Sequence, residues 1–203
     1  MISEPQAIEQ ESMRIIQQTI DSSGGYSGSP ENLPVIKRVI HATADFDFLR
    51  TLYFSDGAVS QARTALANHT PIITDTNMLM SGISKRYGVK ILCHVSDTET
   101  HEQAQARKTT RAVISIERSV QEYPGAVYAI GNAPTALIRL CELVREGKAH
   151  PAMIVGVPVG FVNVIEAKDM LAELTQTPRI IAHGRKGGTT VACAIINAIL
   201  YGM

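Results

Sequence analysis

Short, continuous apolar runs recur along the chain, each separated from the next by a stretch with helical spacing, and this alternation limits the possible folds more than any other feature. Ala152-Met153-Ile154-Val155 is the clearest run. A strand that is apolar at every position has no solvent face, so it must be covered on both sides, as strands of parallel sheets are. The pattern predicts strands at residues 51–54, 71–74, 89–94, 126–130, 152–157 and 179–182. Helices are predicted over 57–68, 109–122, 135–146, 165–173 and 189–200, long enough to serve as crossovers. The expected fold class is α/β: a three-layer α/β/α arrangement on a mainly parallel sheet of about six strands.

Two more helices are predicted ahead of the first strand. One runs over residues 3–20, opening at Ser3 or Glu4 before Pro5, with Ile8, Met13, Ile15, Ile16 and Ile20 as one stripe. The other covers 34–42, and residues 26–32 between them, rich in Gly, Ser and Pro, read as the most flexible passage. This helical first quarter suits a lid or a partner-facing arm. At 203 residues the chain reads as a single domain, 1–203.

Charge and composition narrow the function. Nineteen Lys and Arg balance nineteen Asp and Glu, so there is no long-range field for nucleic acid, and any anion must be caught locally. No apolar stretch is long enough to span a bilayer, and Met1-Ile2-Ser3-Glu4-Pro5 lacks the basic and apolar regions of a secretory leader, so a cytoplasmic location is expected. Cys93, Cys141 and Cys193 stand apart in apolar surroundings and read as reduced core residues. The histidines form no compact ligand set, so no metal site is assigned. Neither G-x-G-x-x-G, nor a phosphate-binding P-loop, nor G-x-S-x-G occurs.

Polar clusters fall just beyond several predicted strands. His41, closing the second helix before Ala42-Thr43-Ala44-Asp45-Phe46-Asp47-Phe48, is the leading candidate for catalysis. The protonated form of a histidine is favoured by a helix C-terminus and the neutral form by an apolar pocket, a combination suited to proton transfer. The plainer role is to cap the helix carbonyls, with Asp45 and Asp47 as partners or as turn residues. His183-Gly184-Arg185-Lys186-Gly187-Gly188-Thr189-Thr190 puts two cations and uncapped amides at a strand-to-helix corner, an anion site in form or a glycine turn with solvated charges.

Thr76 and Asn77, after residues 71–74, either cap a helix or meet a ligand. Asn132, in Gly131-Asn132-Ala133-Pro134-Thr135, is placed to cap the next helix, whose free amides would face the same edge. Arg111 extends the basic surface, and Val157-Pro158-Val159-Gly160-Phe161-Val162-Asn163 supplies an apolar wall for a broad ring. Together these residues suggest an enzyme that binds a polyanionic small molecule at its strand ends and rearranges it by acid-base chemistry.

Five segments, in order, carry a resemblance to a known family: Val39-Ile40-His41-Ala42-Thr43, residues 75–82, Ala129-Ile130-Gly131-Asn132-Ala133-Pro134-Thr135-Ala136-Leu137, Gly156-Val157-Pro158-Val159-Gly160-Phe161-Val162, and His183-Gly184-Arg185-Lys186-Gly187-Gly188. Together they resemble the precorrin-8X methylmutases, also called cobalt-precorrin-8 methylmutases, over nearly the whole chain; residues 26–32 depart from the family pattern. The resemblance implies an α/β homodimer with its substrate between the subunits. It implies methyl migration from C11 to C12 of a corrinoid, giving hydrogenobyrinate, or cobyrinate when cobalt is present. His41 takes the place of the histidine that protonates the macrocycle, and Ser12, Thr76, Asn77 and Arg111 those of pocket residues. Asn132, Arg185 and Lys186 join the substrate-binding set from the reading of the residues.

An anionic tetrapyrrole fits that reading, being a flat apolar ring with a carboxylate rim. A methyl shift within one molecule needs neither a redox equivalent nor a methyl donor, so no cofactor is called for, and no nucleic acid or membrane partner. Two rival readings stay open at the level of residues: another enzyme on the same kind of sheet, such as a methyltransferase or nucleotide-sugar enzyme, and a non-catalytic carrier of anionic tetrapyrroles.

Overall fold

A computed structural model describes residues 4–203. Its centre is a six-stranded sheet: β1 (Leu52–Phe54), β2 (Ile72–Thr74), β3 (Ile91–Leu92), β4 (Val127–Ile130), β5 (Met153–Gly156) and β6 (Arg179–Ala182). The order across it is β1-β6-β5-β4-β2-β3, with every pair parallel except β1 against β6. The fold class expected from the alternation is therefore present, with an antiparallel edge strand added.

The continuous apolar runs are explained by burial on both faces. Ile72, Val127, Ala129, Met153, Val155, Ile180 and Ala182 point into one core and Ile73, Tyr128, Ile130, Ile154 and Ile181 into the other. The first core is closed by α2 (Leu33–Thr43), α4 (Ala58–Ala67), α5 (Asn77–Gly82) and α10 (Thr189–Tyr201). The second is closed by α7 (Arg111–Glu122), α8 (Pro134–Arg145) and α9 (Val164–Ala172). α10 carries no charged residue because it is sandwiched between the sheet and α2.

The order in which strands are added reverses between β2 and β4, which are themselves parallel: β3 lies outward of β2 on one side, and β5 and β6 continue from β4 on the other. In open α/β sheets the crevice at such a reversal, at the carboxyl ends of the strands, is where ligands bind.

Several local expectations need correction. The first helix, α1 (Pro5–Ser22), begins with Pro5 in its first turn, and the expected start at Ser3 lies outside the described residues. Its stripe is only partly buried, since α1 packs on α2: Ile16 and Ile20 are covered, while Ile8 and Ile15 remain exposed. Residues 26–32 form an irregular passage, exposed over 27–30, with Tyr26 against the core and Asn32 buried at its two ends.

Predicted strand 89–94 shrinks to Ile91–Leu92, and 51–54 is preceded by a one-turn helix, α3 (Phe48–Thr51). The helix that Thr76 or Asn77 could cap is the short α5, whereas α6 (Thr98–Ala106), which buries only Thr100 and Ala104, gives no apolar rhythm and was not predicted. The cysteines are free, as expected, with Cys141 buried and the other two half-buried.

Candidate active site

The carboxyl edge of the sheet gathers most of the residues singled out in the sequence. Thr76 and Asn77 follow β2, Asn132 follows β4, and Arg185 and Lys186 follow β6. Arg111 opens α7, whose cap Thr110 lies 3.1 Å from Thr135 at the start of α8, so its backbone is carried to the same edge. Ser12 stands apart on α1, its hydroxyl donating to the Ile8 carbonyl at 2.8 Å within its own helix.

The crevice at the reversal between β2 and β4 is filled by the protein itself. Asp75, 1% exposed, accepts hydrogen bonds from the amides of Gly131 (3.2 Å), Asn132 (2.7 Å) and Ala133 (2.7 Å). Burial pushes its carboxyl above the usual range, and the three amides oppose that rise. The amides expected to face an incoming anion are thus already satisfied. The cap of α8 is Ala133, not Asn132, whose side chain is left exposed at the edge. Thr76 is the cap of α5, its Oγ1 accepting from the Leu79 amide at 3.2 Å, and Asn77 donates to Ser96 Oγ at 2.7 Å.

The corner after β6 is built differently. His183 donates its amide to the Thr51 carbonyl at 2.8 Å, and Gly188 donates to the Val157 carbonyl at 2.8 Å, so the loop is clamped at both ends. Gly187 and Gly188 take φ of 157° and 120°, and a Cβ on Gly187 would stand 2.2 Å from the Val157 oxygen; only glycine lets the two backbones meet. Arg185 is exposed and, among the described residues, has no ion-pair partner.

Lys186 is not a free cation. Its ammonium is held by Asp45 at 2.7 Å and Asp47 at 2.5 Å, which lowers the Asp45 pKa and raises that of Lys186. Asp45 and Asp47 therefore serve Lys186 rather than His41, and the pair draws the turn after α2 to this corner.

His41 lies in the last turn of α2 with an exposed side chain. It borders a groove of about 670 Å³ shared with Ile8, Arg38, Arg86, Tyr87 and Tyr201. The helix end is closed without it: Ala44 donates its amide to the Ile40 carbonyl at 2.7 Å, and Thr43 its hydroxyl to the Val39 carbonyl at 2.8 Å. Among the described residues the imidazole has no hydrogen-bond partner, so the capping role is not the one it fills here.

Of the expected apolar wall, Val157 and Pro158 are buried, while Val159, Phe161 and Val162 are open to solvent. Phe161 and Val162 in the β5–α9 loop are 86% and 76% exposed, and Met78 in α5 is 73% exposed. The Gly160 amide donates to the Arg185 carbonyl at 3.3 Å, so this wall stands beside the glycine loop. Large apolar side chains this open mark an interaction surface.

Lys168 in α9 belongs to none of the sequence motifs. It is 1% exposed, and its ammonium donates to the carbonyls of Gly184 (2.7 Å) and Lys186 (2.8 Å) from behind the loop. Burial lowers its pKa to about 8. A signal was available in the sequence, since Lys168 shares with Val164, Ala167 and Leu171 the spacing of a core-facing stripe.

The fold and its surface define a class: an open α/β protein with an exposed cation and an apolar wall at its strand ends, and an unpaired imidazole on a groove between α1, α2 and the end of α10. Comparison with known proteins narrows it. The family model described as precorrin-8X methylmutase, CbiC, matches residues 7–202, and the chain belongs to that family. It is 42% identical to the cobalt-precorrin-8 methylmutase of Salmonella typhimurium, covering 98% of this chain and 96% of that one. To the enzyme of the same name from Priestia megaterium it is 38% identical, covering 97% and 87%. Among solved structures, precorrin-8x methyl mutase from Thermus thermophilus matches with a TM-score of 0.88 at 38% identity, over 97% of this chain and 95% of that one.

Proposed function

We propose that this protein is an isomerase of cobalamin biosynthesis, moving a methyl group from C11 to C12 of precorrin-8X or cobalt-precorrin-8. The product is hydrogenobyrinate or cobyrinate respectively. Family membership and the open apolar wall beside Arg185 carry this reading. A carboxylate-rimmed macrocycle needs a broad apolar surface and a few directional cations, and an arginine can grip a carboxylate through two parallel donors.

In the mechanism His41 donates a proton to the conjugated ring, or stabilises its protonated form, and so favours the electron distribution from which the methyl group migrates; the ring gives up a proton again after the migration, so that the product is an isomer of the substrate. Arg185 grips a carboxylate of the rim. Thr76, Asn77, Arg111 and Asn132 contribute polar contacts along the edge, with Ser12 reaching the substrate from α1. Lys186 contributes through Asp45 and Asp47, keeping the turn after His41 against the loop. Excluding water strengthens each of these interactions.

The protein acts as a homodimer with its substrate between subunits. A second copy accounts both for the apolar exposure of Phe161, Val162 and Met78 and for a His41 that its own chain leaves open. No described helix is long and apolar enough to cross a membrane.

The test is to incubate purified protein separately with precorrin-8X and its cobalt form, then record mass and visible spectra. An isomerisation leaves the mass unchanged and alters the absorbance. Binding of either compound with no spectral change would favour a carrier instead.

A further inference from the structure

Lys168 is a buried charge that the mechanism above leaves unused. It sits on the face of α9 that packs into the core, and its ammonium is held by carbonyl oxygens alone, those of Gly184 and Lys186. A cation taken out of water costs several kcal/mol unless it is paired, and two carbonyl dipoles offset only part of that.

The charged groups on the elements around it are engaged elsewhere. On α8, Arg139 binds Glu117, Glu142 and Glu146, and Arg145 binds Glu173. On β6, Arg179 donates to the carbonyls of Ala172, Leu174 and Thr177. In the loop, Lys186 is taken by Asp45 and Asp47, His183 is exposed, and Arg185 is a cation itself. On α9, Glu166 and Asp169 are exposed. None of these groups lies within ion-pair distance of Lys168 among the described residues, and burial alone moves its pKa.

The carbonyls of Gly184 and Lys186 are turned inward to the ammonium, which leaves Arg185 between them on the exposed crest of the loop. The corner thus has a positive charge behind it and a second one on its crest, and among the described residues neither is ion-paired, since the two carboxylates drawn to the loop, Asp45 and Asp47, are both held by Lys186. We propose that Lys168 is a positioning residue for anion binding: it fixes the crest that carries Arg185, and its missing counter-charge is a carboxylate of the bound corrinoid. The inference rests on the functional reading above and extends it to a residue to which the family resemblance gave no role.

Titration of hydrogenobyrinate into the wild-type protein and into Lys168→Met and Lys168→Gln tests it. Lys168→Met should lose about tenfold or more in affinity, the scale of one charge-assisted contact. Lys168→Gln, which can still donate to one carbonyl, should recover part of that loss. In turnover the deficit should appear in KM, with kcat nearly unchanged because His41 is untouched.

Wild-type affinity should fall as pH rises through about 8, where the lysine loses its charge, and the affinity of Lys168→Met should be flat over the same range. A purely structural lysine would not produce that difference. Equal affinity in wild type and Lys168→Met, or the same pH profile in both, would overturn the proposal while leaving the functional reading in place. If neither variant folds, the wild-type profile decides: affinity unchanged from about pH 7 to about pH 9 would overturn it. A wild-type protein that binds no hydrogenobyrinate at any pH would instead overturn the functional reading.

Discussion

At the corner after β4, the amides of Gly131, Asn132 and Ala133 converge on Asp75, a carboxylate from the chain's own β2 end. At the corner after β6 an ammonium is buried behind the loop, and the front of the loop is left to solvent and to Arg185. Both are glycine-containing turns from a parallel strand into a helix, the kind of place where anions bind. One has been neutralised internally and the other has not. A shared backbone signature therefore does not by itself leave a corner open to an anion; the charges already standing behind the loop decide that.

The contrast can be broken most forcefully at the filled corner. Asp75→Ala would leave three amides without their acceptor, and the loss should be about 3 kcal/mol or more, read from urea unfolding. A loss near zero would mean that the crevice is not sealed by Asp75.

A smaller effect is expected behind the open corner. The Lys168 pKa drops from 10.5 to about 8 on folding, so below about pH 8 both states are protonated and the native state bears the whole cost of the buried charge, about 3 kcal/mol. Between the two values the unfolded chain binds more protons, so this group makes stability rise with pH across that window. From about pH 7.5 to about pH 9.5 the wild-type protein should gain about 2 kcal/mol relative to Lys168→Met. Parallel stability curves for the two proteins would show that the ammonium is not buried as charge.

At the crest, Arg185→Ala should weaken binding of the corrinoid product by about tenfold and leave the fold unchanged. Equal dissociation constants would remove Arg185 from the site. Lys186→Met should matter least to stability, since its ion pairs with Asp45 and Asp47 are exposed and screened. A large loss of stability there would reverse the ranking of the two neighbouring cations.

Much of this was legible in the sequence, for reasons that can be named. Fully apolar runs such as Met153–Gly156 declare strands covered on both faces, and the helices between them declare parallel connections. The edge strand β1 hid its antiparallel direction because three residues carry too little pattern to orient a strand. α6 was missed because a helix that buries only Thr100 and Ala104 has no apolar stripe to announce it.

In the site, the motif after β6 was recognised by its glycines and cations, but nothing local reveals that Lys186 faces Asp45 and Asp47 some 140 positions away. The same holds for Asp75 and the loop after β4, which are brought together only by the pairing of β2 with β4. Lys168 is the exception, because a lysine on a core-facing stripe is a local anomaly and could have been noticed.

His41 carries the chemistry in this account, so turnover of His41→Ala is the most direct test. The variant should fold and bind the corrinoid normally, while conversion of precorrin-8X, followed by absorbance, slows by about a hundredfold or more, the usual contribution of a positioned general acid. Conversion at the wild-type rate would contradict the account.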